Sequence, residues 1–268
     1  MKVSGFSFIR NAIRYDYPIV EAIRSILPLC DEVVLAVGQS EDETLDLVRD
    51  IDPKVRILET IWDDTLRKSG GVLAQETNKA FDAVAADSDW CFYIQADELV
   101  HEQDYAAIQH AMREHLEDEQ VEGLLFDYLH FYGSYDYIGD SRNWYRKEIR
   151  IIRNDRRIRS FRDAQGFKKA GEKLKVKAAH ARIHHYGWVK HPEHQQQKQL
   201  NFNKLWHDDD WVTNNVPKVE RFDYSKIDSL QKFSGTHPKV MQARIQQMNW
   251  SFDFDPTQRK LSTKERLS

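Results

Sequence analysis

The residues best placed to do chemistry sit at the end of an apolar run. Trp90-Cys-Phe-Tyr-Ile94 is apolar or aromatic throughout, and Gln95, Ala96, Asp97 and Glu98 follow it with no spacer. A strand fit for a protein interior thus runs straight into two carboxylates. In an open parallel sheet, ligands bind at the carboxyl ends of the strands. Carboxylates mounted there suit a hard divalent cation, whose remaining oxygen ligands a nucleotide diphosphate could supply. An acidic residue after a strand also serves to cap the next helix, and both readings stand at Asp97 and Glu98. A second pattern is "HARIHHYGW", residues 180–188. As a strand it puts Ala181, Ile183 and His185 on one face and His180, Arg182 and His184 on the other. His185 then goes with the apolar, inward side, as a ligand or as a hydrogen-bonded core residue. His191, His194 and His207 lie nearby, but their spacing matches no zinc motif, and neither His-Glu-x-x-His nor paired cysteines occur.

These residues need a scaffold, and the first half of the chain spells one out. Val3 to Ile9, Glu32 to Val37, Val55 to Leu58, Trp90 to Gln95 and Val121 to Phe131 read as strands. Between them come helical patterns: one opened by Pro18 and ended by Pro28, one begun by a capping box at Ser40-Glu41-Asp42-Glu43, one over Gly71 to Ala86, and one marked by Tyr105, Ile108, Met112 and Leu116. Strands alternating with helices imply an α/β protein whose mostly parallel sheet is covered on both faces. After Gly133 the pattern changes. Residues 133–145, "GSYDYIGDSRNWY", read as a long loop of the kind that carries function. Shorter strands are expected at Lys147 to Arg153 and Lys173 to Trp188, and helices near 191–207 and 237–252. The expected division is an α/β half over residues 1–132 and a second half over 133–268, in one continuous globular unit.

Four stretches together resemble the family 2-type glycosyltransferases of the GT-A fold. "SFIRNAIRYD" places Arg10, Asn11 and Asp16 where such enzymes begin their nucleotide loop; "VGQSEDET" is similar to the family's "DGSTDGT", with Ser40, Asp42 and Thr44 matching. "ETNKAF" puts Asn78 at the family's helix asparagine, and "YIQADE" occupies the place of its Asp-x-Asp motif. "EIRIIRND", "FRDAQGF" and "HHYGW" resemble the bacterial branch that modifies surface polysaccharide or lipopolysaccharide. The likeness spans about residues 1–190, and the order and spacing of its motifs are specific. It implies a Rossmann-like sheet with an acceptor-side extension, a nucleotide-sugar donor (UDP-linked), an inverting transfer, and a glycan or lipid-linked acceptor. There are departures. Val37-Gly38-Gln39 carries no aspartate to read the base, and Gln95 stands at the first aspartate of Asp-x-Asp. An amide can hold a ribose hydroxyl or a water but adds no charge.

On this resemblance Asp97 and His185 are the expected ligands of manganese or magnesium. Arg10, Asn11, Asp16, Ser40, Asp42, Asn78, Gln95 and Lys190 are the expected donor contacts, with Arg14 and Lys198 as further phosphate candidates. Asp163, in "FRDAQGF", is the expected general base, Glu98 the alternative; an aspartate before a Gly turn also simply forms turns. Trp144, Tyr145 and Trp188 could stack on sugar faces, Trp144 first among them because it lies in the long loop. The surface lysines and arginines named here are, in most proteins, only solvated.

Composition limits the alternatives. The 268 residues carry 39 basic and 43 acidic side chains, a formal charge of −4, which is no polyanion-binding signature and argues against bulk nucleic-acid binding. Cys30 and Cys91 fall in apolar patterns and read as buried thiols, not a disulfide framework. The N-terminal segment is broken by charge after nine residues and no run of about 18 apolar residues occurs, so a cytoplasmic location is expected. Met241, Ile245, Met248 and Phe252 form one helical face that packs on the body or, with the basic "RKLSTKER" tail, approaches a membrane peripherally. Two other functions remain open: a sugar-nucleotide pyrophosphorylase-like enzyme, against which stands the lack of a Gly-rich loop after the first strand, and a non-catalytic nucleotide- or carbohydrate-binding relative.

Overall fold

The computed structural model describes residues 1–66, 68–207, 209–216 and 219–257. The basic tail lies outside the described residues. Strand β1 (Val3–Ile9) leads through α1 (Ile19–Ile26) to β2 (Glu32–Gly38), then through α2 (Thr44–Arg49) to β3 (Val55–Thr60), and through α3 (Gly71–Asp82) to β4 (Trp90–Tyr93). These four pair in parallel in the order β3-β2-β1-β4. β1, β2 and β4 are buried along almost their whole length, because helices cover both faces of the sheet. Ile19, Ala22, Ile23 and Ile26 give α1 a fully buried stripe at helical spacing.

The chain continues through β5 (Glu98–Val100), α4 (Tyr105–Glu114), β6 (Gly123–Tyr132), β7 (Tyr137–Gly139) and β8 (Lys147–Arg153). β8 lies between β4 and β6, antiparallel to both, which joins the second half of the chain to the parallel sheet. β9 (Ile158–Phe161), β10 (Gly166–Lys169) and β11 (Glu172–Lys173) form a separate antiparallel sheet. The long β12 (Val176–Trp188) then runs parallel to β6 and antiparallel to β5. α5 (Pro192–Lys204), α6 (Asp209–Asn215), β13 (Leu230–Lys232) and α7 (Gln242–Gln246) complete the described elements. The architecture is the expected α/β one, a sheet with a parallel half flanked by helices. Among the described residues no helix is long and apolar enough to cross a membrane.

Three local expectations differ from the structure. The capping box does not form: the Ser40 hydroxyl donates to the Gly38 carbonyl and accepts from the Asn11 amide, while Thr44 bonds Asp42. Those groups tie the loop after β1 to the loop after β2 instead of starting a helix. The helix expected over 237–252 is confined to α7 and a preceding 3-10 turn at Lys239–Met241. Met241, Ile245 and Met248 pack on one apolar cluster, but Phe252 joins another beside Gly133, and the Trp250 indole donates to the Gly133 carbonyl at 2.8 Å. One straight helix could not serve both clusters, so the chain leaves the helix after Gln246. The apolar face proposed for membrane contact is therefore spent on the body. Finally, the loop 133–145 contains β7, and Trp144 packs into the aromatic cluster around Tyr132 and Trp188.

Candidate active site

The carboxyl ends of β1 to β4 open into one cleft of about 690 Å³, lined by Arg10 and Asn11 after β1, Glu41 after β2, Trp62 and Asp64 after β3, and Gln95, Ala96 and Asp97 after β4. The second half of the chain closes it with Tyr145, Asp163, Gln165, His185 and Trp188, and α5 roofs it with Lys198, Gln199 and Asn201. The size falls within the range of small-molecule and cofactor sites.

Asp97 is the electrostatic centre. It is 7% exposed. Its Oδ2 accepts from the Lys198 ammonium at 3.0 Å, and its Oδ1 lies 3.7 Å from His185 Nε2. Burial works to raise the carboxyl, but Lys198, then His185 and Lys190, more than offset it and hold Asp97 well below the usual carboxylate range. Burial, against the pull of Asp97, takes the His185 imidazole down to about 4, so it is neutral at physiological pH. Lys198 also donates to the Gly187 carbonyl at 2.9 Å, and the face of Tyr17 carries both ammonium groups, Lys190 at 4.6 Å and Lys198 at 5.0 Å from the ring centre. Burial and the neighbouring Lys198 lower Lys190 to about 7.

His185 reaches the cleft as the strand alternation requires: Ala181 and Ile183 lie in the same apolar cluster, while His184 faces the other side, against Phe131 and His101. Its Nδ1 is 2.9 Å from Nδ1 of His130, on the adjacent strand β6 in direct register. Gly187 stands directly against His185 and Asp97 and puts no side chain between them. A Cβ on Gly187 would stand 2.6 Å from His185 Nε2 and 2.9 Å from Asp97 Oδ2. A neutral imidazole nitrogen and a carboxylate oxygen 3.7 Å apart are donors of the kind a divalent metal ion takes, with Lys198 on the other carboxylate oxygen. Among the described residues no group of three His, Cys, Asp or Glu forms a self-sufficient metal cage.

The other expected site residues divide. Arg10, Asn11, Gln95, Asp97, Asp163, His185 and Lys198 line the cleft; Asp16, Ser40, Asp42, Asn78 and Lys190 do not. Asn11, at a φ of 54°, accepts the Glu41 amide, so it shapes the loop around the cleft as well as facing it. Asp16 pairs with Arg244 and its carbonyl accepts from Lys190. Asn78 bonds the Ser160 backbone both ways and pins α3 to β9. Gln95 sends its amide nitrogen to the Ala164 carbonyl at 3.1 Å, tying the strand end to the β9–β10 hairpin. Asp163 sits at the tip of that hairpin, between Arg162 and Ala164, both left-handed at φ of 56° and 62°.

Glu98 requires a correction. It is fully buried; its oxygens take two hydrogen bonds from Arg150, itself fully buried, at 2.7 Å each, one from the Tyr128 hydroxyl at 2.9 Å and one from the Gln95 backbone N–H at 3.1 Å. With every lone pair committed and no exposure to the cleft, it anchors the strand end and touches no acceptor. Among the aromatics, Tyr145 and Trp188 line the cleft and Trp144 does not. Trp62 is a lining residue the sequence reading passed over. Its indole rests on Gly38, where a Cβ would come within 2.3 Å of the indole nitrogen; Phe8 packs beside it and the Arg10 guanidinium lies 5.4 Å over the ring. The signal was its place just past a parallel strand, where switch-point ligands bind.

No protein-family model and no curated protein matches this chain. Solved structures do. Residues 1–349 of S. aureus TarS in complex with UDP share 17% identity over 82% of this chain and 68% of that one, with a TM-score of 0.43. A longer TarS structure matches at 15% identity over 75% of this chain, which spans 39% of it, with a TM-score of 0.42. Glucosyl-3-phosphoglycerate synthase from Mycobacterium tuberculosis, in complex with Mn2+, UDP and phosphoglyceric acid, matches at 15% over 48% of this chain and 43% of that one, with a TM-score of 0.33. Scores of this size assign neither a family nor an activity to the chain.

Proposed function

We propose that this protein is a glycosyltransferase that moves a sugar from a UDP-linked donor to a hydroxyl of a glycan or lipid-linked acceptor, with inversion, in surface-glycan synthesis at the cytoplasmic side. The observation that carries the reading is the convergence of Arg10, Trp62, Asp97, Asp163, His185 and Lys198 on one cleft at the carboxyl ends of a parallel sheet. Residues 1–132 supply most of the donor side and residues 133–268 the acceptor side.

The donor base rests against Phe8 and Trp62, which replace the missing base-reading aspartate with aromatic surface. The diphosphate lies between Arg10 and Lys198, whose charges offset the negative charge that develops as it leaves. Manganese or magnesium held by Asp97 and His185 would add Lewis-acid neutralisation of the same oxygens. Asp163 accepts the proton of the acceptor hydroxyl; that oxygen bonds to the sugar carbon as the carbon–phosphate oxygen bond breaks and its electron pair leaves with the diphosphate. Tyr145 and Trp188 offer ring faces to the sugars. α5 over the cleft limits water, the competing acceptor.

A thermal-shift series of nucleotide sugars, with and without manganese, tests this. A ligand at about 100 times its Kd stabilises by about 2.7 kcal/mol, which for a chain of this size raises Tm by roughly 5–10 °C. Uridine donors are expected to give that shift and adenosine analogues much less. No shift with any nucleotide sugar would end the proposal.

A further inference from the structure

The hydrogen bonds around His185 decide where its proton sits. His130 Nε2 lies 2.7 Å from the Tyr145 carbonyl oxygen, which can only accept, so this nitrogen carries a proton. His130 is 2% exposed, and its ring is enclosed by those of Tyr145, Trp144 and Tyr128, with ring centres 4.3, 5.1 and 5.4 Å away. An unpaired charge is costly in such surroundings, so the ring is neutral and has one N–H only. Its Nδ1 is therefore an acceptor, and the group facing it at 2.9 Å, His185 Nδ1, is the donor. The proton of His185 is thereby spent on the side away from the cleft. Nε2 is left with a bare lone pair, 3.7 Å from Asp97 Oδ1, a distance beyond a hydrogen bond. Two acceptors face each other beside Gly187, which puts no side chain between them.

We propose that His130 is a positioning residue: through a two-imidazole relay anchored on the Tyr145 carbonyl it fixes the His185 tautomer that presents a lone pair to a divalent cation shared with Asp97. The inference rests on the donor-site reading above and adds a residue to it. Metal-bound histidines commonly give their second N–H to a carboxylate or a carbonyl; here the carbonyl is reached through a second histidine. Direct register of β6 and β12 sets the two rings side by side, so the relay is built into the strand pairing.

The test uses manganese(II) as the probe, its free concentration followed by electron paramagnetic resonance in the presence of uridine diphosphate. His130→Leu deletes the acceptor and is expected to weaken manganese binding about 10–100-fold. His130→Asn places an amide oxygen near the lost Nδ1, can still accept from His185, and is expected to stay within about 3-fold of wild type. Nucleotide binding without metal is expected to be the same in all three proteins. A His130→Leu protein that binds manganese like wild type, or a His130→Asn protein as weak as His130→Leu, overturns the inference. Wild type that binds the nucleotide but no manganese overturns it too, while leaving the donor site standing; wild type that binds neither overturns both. Imidazole nitrogen NMR of the metal-free wild type needs no variant. It is expected to show His185 protonated at Nδ1 and bare at Nε2, and the opposite tautomer overturns the proposal.

Discussion

Replacing Gly187 by alanine puts one methyl group into the gap between His185 and Asp97. The added carbon would lie 2.6 Å from His185 Nε2, 2.8 Å from its Cε1 and 2.9 Å from Asp97 Oδ2. All three contacts are closer than side-chain carbons tolerate, and the strand on either side leaves little room to retreat. Overpacking of this kind costs about 1–3 kcal/mol, so Tm should fall by roughly 2–10 °C. The backbone of Gly187 is not left-handed, so the effect is steric and the fold should survive. The functional loss should be larger than the stability loss, because the methyl stands where a shared cation would sit. Manganese affinity in the presence of uridine diphosphate is expected to drop at least about 10-fold, the scale on which outer-shell changes already act. Calorimetric titration of manganese into the nucleotide-saturated protein reads this directly. A Gly187→Ala protein that folds and binds manganese like wild type would refute the idea that this gap is the cation's place.

Asp163→Asn is expected to lower transfer by about 10²–10⁴ while leaving donor affinity unchanged, as loss of a general base should; near-normal turnover would move the role elsewhere. Arg150→Met strands the Glu98 carboxylate in a dry interior and should cost about 3–5 kcal/mol in a denaturant melt, whereas a variant with normal stability would undo the structural role given to that pair. Burial takes His130 and His184 down to about 3 and His185 to about 4. A group with a depressed folded pKa contributes stability above its unfolded value, near 6.5, and that stability is lost as pH falls toward the folded value. Melting temperature should therefore drop steeply between about pH 6.5 and pH 4, and a flat profile there would contradict the burial of these rings as neutral groups.

Strands β2 and β4 of the parallel half were legible because they are buried on both faces and so read as unbroken apolar runs, as at Val33 to Val37. The inward placing of His185 was legible from period-two alternation. The same rule applied to β6 would have found His130, which follows Leu124, Phe126 and Tyr128 on alternate positions, all members of the core. What local pattern could not give were choices made by distant partners. Glu98 looked like its neighbour Asp97 until Arg150, 52 residues away, claimed both its oxygens. Ser40 had the spacing of a helix cap, but the Asn11 amide claimed its hydroxyl. The short strands β9 to β11 and β13 are two to four residues long, too brief to show a period. Trp144 sat in an apparently irregular loop, yet Gly139 leaves room for its indole to fold inward, so Trp188 and Tyr145 took the cleft.

On the proposed function, the cleft at the strand ends holds a nucleotide diphosphate beside Asp97. A crystal structure of the protein soaked with uridine diphosphate and manganese measures it most directly. The base is expected against Phe8 and Trp62, the diphosphate between Arg10 and Lys198, and anomalous manganese density between Asp97 and His185. A nucleotide bound elsewhere on the molecule, with the Asp97 cleft still closed by Lys198, would contradict it.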